Sequence, residues 1–248
     1  MPGVDVPVVR DLPWRVVDRV VKLDGLANAR DLGGLPLAAG GFTPTGVFIR
    51  SESPDLVTPA GWGHLRERGL RTVIDFRRDD ERQRDVGPRP AWVTVRTVDL
   101  HDDAFDERHW DEGLVGTALH YLEFLREPPI ASALIAVAAA EPGGVLLHCV
   151  GGRDRTGLVS AVLLVIAGVE TEAVVEDYLD SVRNAPALAA LQGVPNWEPN
   201  VDRLLAVRGT STEQSFRAFL EGLDVATLLA SVPPEHAAAL RTWRGLLG

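Results

Sequence analysis

The sequence predicts an α/β fold, a central sheet flanked by helices, on three observations. Apolar runs of strand length alternate with runs of helix length along most of the 248 residues, which is the pattern that packs helices onto a sheet. Charged residues mass just beyond the end of one such strand, Arg71-Thr72-Val73-Ile74-Asp75-Phe76. A glycine-rich decapeptide, His148 to Gly157, joins the short run Val145-Leu146-Leu147 to the longer run from Leu158 to Ala167. In open α/β sheets ligands bind beyond the carboxyl ends of the strands, so these loops are where the chemistry is expected. No internal repeat or low-complexity linker divides the chain, and a single domain over residues 1–248 is expected.

Val16 to Leu23 mixes valine with charge and reads as an exposed strand. Gly33-Gly34, Gly40-Gly41 and Pro44 punctuate a turn-rich hairpin that ends in the strand Val47-Phe48-Ile49-Arg50. Thr58 followed by Pro59 starts a helix, and Gly69 stops it. The strand from Arg71 to Phe76 is central, and Trp92 to Val98 is another. A helix over Leu114 to Arg126 presents Leu119, Leu122 and Leu125 near one face. Pro129 to Ala140 forms the next helix, stopped by Gly143-Gly144 before the strand that feeds the decapeptide. After Gly168, Thr171 caps a helix to Asn184 with Val174, Val175, Tyr178, Leu179 and Val182 on its apolar side. Prolines and a glycine break the chain between Pro186 and Pro199, and Val201 to Val207 is helical again. Trp197 in that stretch has two readings, covering a substrate or packing into a core or interface, and packing is expected. The last forty residues hold two closing helices.

Composition excludes several classes of function. The net charge of −10 argues against a broad nucleic-acid or anionic-membrane footprint, so any affinity for anions must be local. The longest apolar run, residues 158–169, is too short to span a bilayer, and residues 1–20 lack the apolar core of a signal peptide. A cytoplasmic protein with no stable membrane insertion is expected. Cys149 is the only cysteine, so no disulfide can form within the chain. Gly152 to Val159 mimics a nucleotide-binding loop but has Leu158 where the lysine must stand. There is no Gly-x-Ser-x-Gly elbow, and the six histidines lack the spacing of a zinc site.

The decapeptide carries the chemistry. A helix N-terminus leaves several N–H groups unpaired and presents the positive end of the helix dipole, so it favours an anion. Gly151 and Gly152 let the backbone approach that anion with no Cβ in the way. Cys149 opens the loop and Arg155 closes it, with five residues between them. The thiolate is the nucleophilic form of cysteine, and a helix N-terminus beside an arginine favours it. A loop curling through about half a turn faces Arg155 into the bowl, where its guanidinium offers parallel donors to phosphate oxygens. The amides of Val150, Gly151, Gly152, Arg153, Asp154 and Arg155 can hold the remaining oxygens. Thr156 is placed to bond the sulfur and help it leave in a second step. Each part serves phosphoester cleavage through a cysteinyl-phosphate. A rhodanese-type sulfur carrier also uses a cysteine loop, but the closing Arg-Thr pair suits phosphate better. The alternative from another class is a catalytically silent module that binds a phospho-ligand.

This segment resembles the Cys-x5-Arg phosphate loop of the protein tyrosine phosphatase superfamily. It most resembles a bacterial branch of tyrosine/serine phosphatases whose loop reads His-Cys-x-x-Gly-Lys-Asp-Arg-Thr-Gly, with Arg153 here in place of the lysine. The block Asn28-Ala29-Arg30-Asp31-Leu32-Gly33-Gly34 resembles a second signature of that branch. Ile49-Arg50-Ser51, Ile74-Asp75-Phe76-Arg77 with Glu81, and Asp177-Tyr178-Leu179 match it in order and spacing, so the likeness spans residues 24–184. The resemblance implies a tyrosine phosphatase-like sheet with a helical lid after the catalytic helix, near residues 170–210. It implies phosphotyrosine as leading substrate, followed by phosphoserine, phosphothreonine and phosphoinositides, with no metal or organic cofactor. Nothing in the sequence specifies an oligomeric state.

The acid that protonates the leaving group has two sources. Many relatives in the superfamily use an aspartate upstream, and Asp99, Asp102, Asp103 and Asp106 form an acidic cluster there. Resemblance to the bacterial branch implies Asp154 instead, for which capping the helix is the plainer role. Arg153 is expected to face solvent, as a reader of a second phosphate or acidic peptide, or as a plain surface arginine. His148 is expected to orient the loop through hydrogen bonds. Asp75 and Arg77 are candidates to brace the loop, with a structural ion pair as the simpler reading. Asn28, Arg30 and Asp31 fit turn and cap chemistry nearly as well as a supporting role, and Arg50 is the weakest candidate.

Overall fold

A five-stranded sheet runs in the order β1 (Arg30–Asp31), β2 (Phe48–Ser51), β5 (Gly144–His148), β3 (Leu70–Asp75), β4 (Thr94–Thr97). The structure is a computed structural model that describes residues 18–83, 87, 89–100, 107, 117–126 and 128–247. Only β1 is antiparallel to its neighbour; the other pairings are parallel. Parallel strands covered on both faces read as unbroken apolar runs, and β5, Gly-Val-Leu-Leu-His, is buried at every position. Its side chains serve two cores by turns. Val145 and Leu147 join Phe48 and Ile74 on one face, while Leu146 joins Ile49, Val73, Trp62 and Leu65 on the other.

Helix α1 (Pro59–Glu67) covers the smaller core, and Thr58 caps it by accepting the Gly61 amide at 3.1 Å. A short α2 (Asp79–Arg82) follows β3. The larger core takes α3 (Tyr121–Phe124), α4 (Pro128–Ala138), α5 (Arg155–Ile166) and α6 (Thr171–Gln192). After these come α7 (Glu198–Val207), α8 (Thr212–Gly222), α9 (Val225–Ala230) and α10 (Pro234–Arg241). The residues of α5 from Thr156 to Leu164 are all buried, as expected of a helix that is apolar all round. That larger core includes residues from Leu32 to Trp243, whose indole packs edge-on against Phe48 with centroids 4.7 Å apart. No helix among the described residues is long and apolar enough to cross a membrane.

Four expectations change. Val16 and Val17 lie outside the described residues, and the rest of the first strand reduces to one bridge between Val20 and Arg30. Of the helix expected over Leu114 to Arg126, the described part is a 3₁₀ turn, Ala118–His120, running into α3, and His120, Tyr121 and Phe124 are its buried large side chains. Thr171 is the first residue of α6 and not its cap, which is Glu170. That helix continues past Asn184 and through Pro186 to Gln192, where Gly193 stops it in the left-handed region at φ 66. Proline removes one N–H and strains one turn, and burial of Leu188 and Ala189 beyond it holds the helix together. The C-terminal stretch forms three helices where two were expected.

Candidate active site

Strand β5 ends at His148 and α5 begins at Arg155, and the loop between them is held by its carbonyls. Cys149 O meets His148 Nδ1 at 3.0 Å. Val150 O accepts the Ser53 amide at 2.9 Å, Gly151 O accepts Asn28 Nδ2 at 3.0 Å, and Gly152 O accepts Arg50 Nη2 at 2.7 Å. Asp154 O accepts the Tyr121 hydroxyl at 2.9 Å and the Leu158 amide at 2.7 Å. In a trans peptide the N–H points opposite to the C=O, so carbonyls tied outward leave the amides facing the loop's interior. No amide of residues 150–155 donates to another group among the described residues. Convergent unpaired donors at a helix N-terminus are suited to an anion.

The two glycines divide their work differently from the expectation. Gly152 has φ 68, and a Cβ there would lie 2.3 Å from the carbonyl oxygen of Ser51. Glycine at 152 therefore answers to the backbone and to β2. Gly151 has room for a Cβ, with Leu188 at 3.6 Å.

Cys149 is buried at the start of this loop, 3% exposed. Glu81, from α2, grips Arg155 with both oxygens, Oε2 at 2.5 Å from Nη1 and Oε1 at 2.8 Å from Nη2. Burial works against the guanidinium charge, but Glu81 and the Cys149 sulfur outweigh it and hold Arg155 above its usual range. Burial likewise pushes Glu81 up, and Arg155 more than reverses this, leaving the carboxyl below its usual range. The two-point grip leaves Arg155 Nε–H and one Nη2 hydrogen for a ligand, which is the bidentate face that matches phosphate. Thr156 Oγ1 is buried and has no hydrogen-bond partner among the described residues.

Behind the loop stands one carboxylate among three arginines. Asp177, from α6, accepts Arg30 Nε at 3.0 Å, Arg19 Nη1 at 2.9 Å and Arg50 Nη1 at 2.6 Å. Burial disfavours its charge, but Arg30, Arg50 and Arg19 hold its carboxyl far below the usual range. Burial and the neighbouring Arg50 bring Arg30 down to about 10. Arg30 also donates to Asn28 Oδ1 at 2.8 Å, which aims the other end of that amide at Gly151 O. Ser181 receives both Arg30 and Arg50, and Glu52 accepts the backbone N–H of Asn28 at 3.1 Å. Arg50, the weakest candidate by sequence, is thus joined directly to the loop. Asp31 is not: its oxygens accept the Gly33 and Gly46 amides at 2.7 Å each and fasten the hairpin.

Asp75 and Arg77 pair with each other at 2.7 Å at the end of β3, and Arg77 also reaches Asp55. His148 lies beside Asp75 in the sheet register, with Nε2 3.7 Å from its carboxylate. Burial brings the His148 pKa down to about 4, although Asp75 opposes the shift. The ring is neutral near pH 7 and serves the loop as a hydrogen-bonding spacer.

In front of the loop the expectation for Arg153 is overturned. It is buried, not solvent-facing, because Glu198 of α7 accepts Nη2 at 2.8 Å and pairs with Nε. Its Nη1 reaches Asp154 Oδ1 at 2.6 Å and the Tyr178 hydroxyl at 3.3 Å. Asp154 occupies the N-cap position of α5, yet its side chain makes no capping bond. Of the upstream acidic cluster, Asp99 is held by Arg82 at 2.6 Å, while Asp102, Asp103 and Asp106 lie outside the described residues. The segment expected as a lid opens with α6, whose Val174, Val175, Tyr178 and Leu179 are core residues. Trp197 is 65% exposed and does not pack into the core as expected.

The sequence matches Glu81 and Asp177 to the family pattern without giving either a role, and it gives no sign of Tyr121 or Glu198. Asp177 and Ser181 did leave a signal, since they share a helix face with apolar Val174 and Tyr178, where a polar side chain must find buried partners.

A family model described as the tyrosine phosphatase family matches residues 21–227. A Cupriavidus necator protein provisionally named a tyrosine-protein phosphatase is 30% identical over 213 residues, 80% of this chain and 78% of that protein. The triple specificity protein phosphatase PtpB of Mycobacterium tuberculosis is 30% identical over 205 residues, 69% of this chain and 72% of that protein. A tyrosine-protein phosphatase of Nostoc commune is 28% identical over 155 residues, 54% of this chain and 48% of that protein.

Proposed function

The chain belongs to the tyrosine phosphatase family, and from that premise we propose that it hydrolyses phosphotyrosine through a phosphocysteine at Cys149. The sulfur attacks phosphorus in line, forming the S–P bond as the P–O bond to the leaving group breaks. Arg155 and the amides of residues 150–155 hold the equatorial oxygens while their charge redistributes. Asp154 gives its proton to the departing oxygen. Its carboxylate then takes a proton from the water that attacks phosphorus, the S–P bond breaks, and inorganic phosphate leaves. Thr156 Oγ1, buried without a partner, is suited to donate to the sulfur as that bond breaks.

The observation that carries this reading is the loop whose carbonyls are tied outward around Cys149, with Arg155 held at its end by Glu81. The mycobacterial relative's name supports a substrate range wider than phosphotyrosine; phosphoserine, phosphothreonine and phosphoinositides are its candidates. The larger core, which includes residues from Leu32 to Trp243, supports one domain. The part of the 170–210 segment beyond Gln192 is the candidate lid. A thiol with no partner cysteine in the chain supports a reducing, cytoplasmic setting.

Phosphate release from p-nitrophenyl phosphate, phosphopeptides and phosphoinositides tests this reading. Wild type should turn over while Cys149→Ser does not, and Cys149→Ser should still bind phosphotyrosine peptide. A wild type that binds without turnover would make the chain a silent phospho-binding module.

A further inference from the structure

We propose that Glu198 is a positioning residue for the proton transfer, holding the Asp154 carboxylate at the mouth of the phosphate loop through Arg153. The inference rests on Asp154 being the acid. Asp154 cannot orient itself. Its side chain is 37% exposed and makes no capping bond, and Arg153 is its sole side-chain partner among the described residues.

The direction of Arg153 is set in turn by Glu198. Glu198 Oε2 accepts Nη2 at 2.8 Å, and Oε1 lies against Nε in the same ion pair, so one edge of the guanidinium is committed to this carboxylate. Once that edge is committed, Nη1 is left pointing at Asp154 Oδ1, 2.6 Å away. The ring of Tyr178 lies under the guanidinium at 5.7 Å and is itself stacked on Phe216 at 3.9 Å, which keeps Arg153 from tilting. Glu198 is buried, so water does not compete for the pair. Glu198 also keeps Arg153 shared between two carboxylates. A proton donor must also be held within hydrogen-bond reach of the oxygen it serves.

Steady-state kinetics on p-nitrophenyl phosphate and on an alkyl phosphate test the proposal, because only the poor leaving group needs the proton. Glu198→Gln should lower kcat about tenfold on the alkyl phosphate and about twofold or less on p-nitrophenyl phosphate. Inhibition by inorganic phosphate should stay at the wild-type level, since the cradle is untouched. In an Arg153→Gln background, Glu198→Gln should have no further effect, because a residue that acts only through Arg153 has nothing left to act on. Glu198→Asp keeps the charge with a shorter reach, and should show the same substrate discrimination at smaller size if Glu198→Gln folds poorly. Equal losses on both substrates, or additive losses in the double variant, would overturn the role of Glu198 while Asp154→Asn still discriminated between leaving groups. Equal losses for Asp154→Asn would overturn the acid and this proposal together.

Discussion

The phosphate loop is held from two sides that are built in opposite senses. Behind it, one carboxylate, Asp177, sits among three cations, Arg19, Arg30 and Arg50, none of them more than 10% exposed. In front, one cation, Arg153, is shared by two carboxylates, Glu198 and Asp154, and Asp154 opens to solvent. The rear cluster grips backbone carbonyls and contains no group that must change protonation. The front chain ends in Asp154, the proposed acid, which in that role gains and loses a proton at every turnover. Preorganised donors work because they do not move, whereas an acid must respond. Damage behind should therefore appear in stability and phosphate affinity, and damage in front should appear in leaving-group dependence.

The largest effect is expected from Asp177→Asn, which strips the buried arginines of their counter-charge. Removing one partner of a buried ion pair costs about 3–5 kcal/mol, and in a chain of this size that lowers Tm by about 10 °C. Scanning calorimetry measures it, and a fall of under about 2 °C would show that the rear cluster is not the stabilising one. The pH dependence has a definite sign. The Asp177 carboxyl lies below its usual range in the fold, so its stabilisation is complete above an unfolded pKa of about 3.9 and fades as pH falls below it. The variant should lose that acid limb.

Asp154→Asn should do the reverse. On an alkyl phosphate kcat should drop about 100-fold or more, with a much smaller loss on p-nitrophenyl phosphate. Calorimetry should show Tm within about 2 °C of wild type, because Asp154 is the exposed member of its pair and Arg153 keeps Glu198 as a partner. A large loss of stability would merge the two sides into one structural network and end the distinction.

The parts of this site that are local in the chain were legible in the sequence, and the parts made by distant partners were not. The strand, the loop with Cys149 and Arg155, and the helix follow one another within β5 and α5, so periodicity and spacing reveal them. Arg50 ranks low and Arg153 reads as solvent-facing in the sequence because what defines them is far away, Asp177 127 residues on and Glu198 45 residues on. Nothing around Arg153 marks it as buried; only the packing of α7 does. Gly151 and Gly152 look alike in sequence, and only the left-handed backbone and the nearness of Ser51 separate them.

His148 lies where the two sides meet, at the end of β5. Its pKa is about 4 in the fold, because it is buried, against about 6.5 in an unfolded chain. Between those values the unfolded chain takes up a proton that the folded one refuses, so stability falls as pH drops from 6.5 towards 4, by about 3 kcal/mol. His148→Asn should flatten urea-unfolding free energy over that window, with the Asp177 limb still present at lower pH. If the wild-type curve is already flat there, the ring is not kept neutral by burial.

The smallest effect belongs to Tyr178→Phe, and it sharpens the comparison most. The substitution keeps the ring, its stack on Phe216 and its place under Arg153. It removes only a hydroxyl, which meets Arg153 Nη1 at 3.3 Å and the Tyr121 hydroxyl at 3.5 Å. One such neutral donor or acceptor is worth about 1 kcal/mol, so Tm should fall by a few degrees at most. If Glu198 sets the plane of Arg153, the guanidinium stays aimed at Asp154 without the hydroxyl, and kcat on an alkyl phosphate should fall by about threefold or less. A loss as large as that of Asp154→Asn would mean that the tyrosine, from the core side, aims the front of the loop. The two sides would then share one anchor in α6, because Asp177 and Tyr178 are neighbours on that helix.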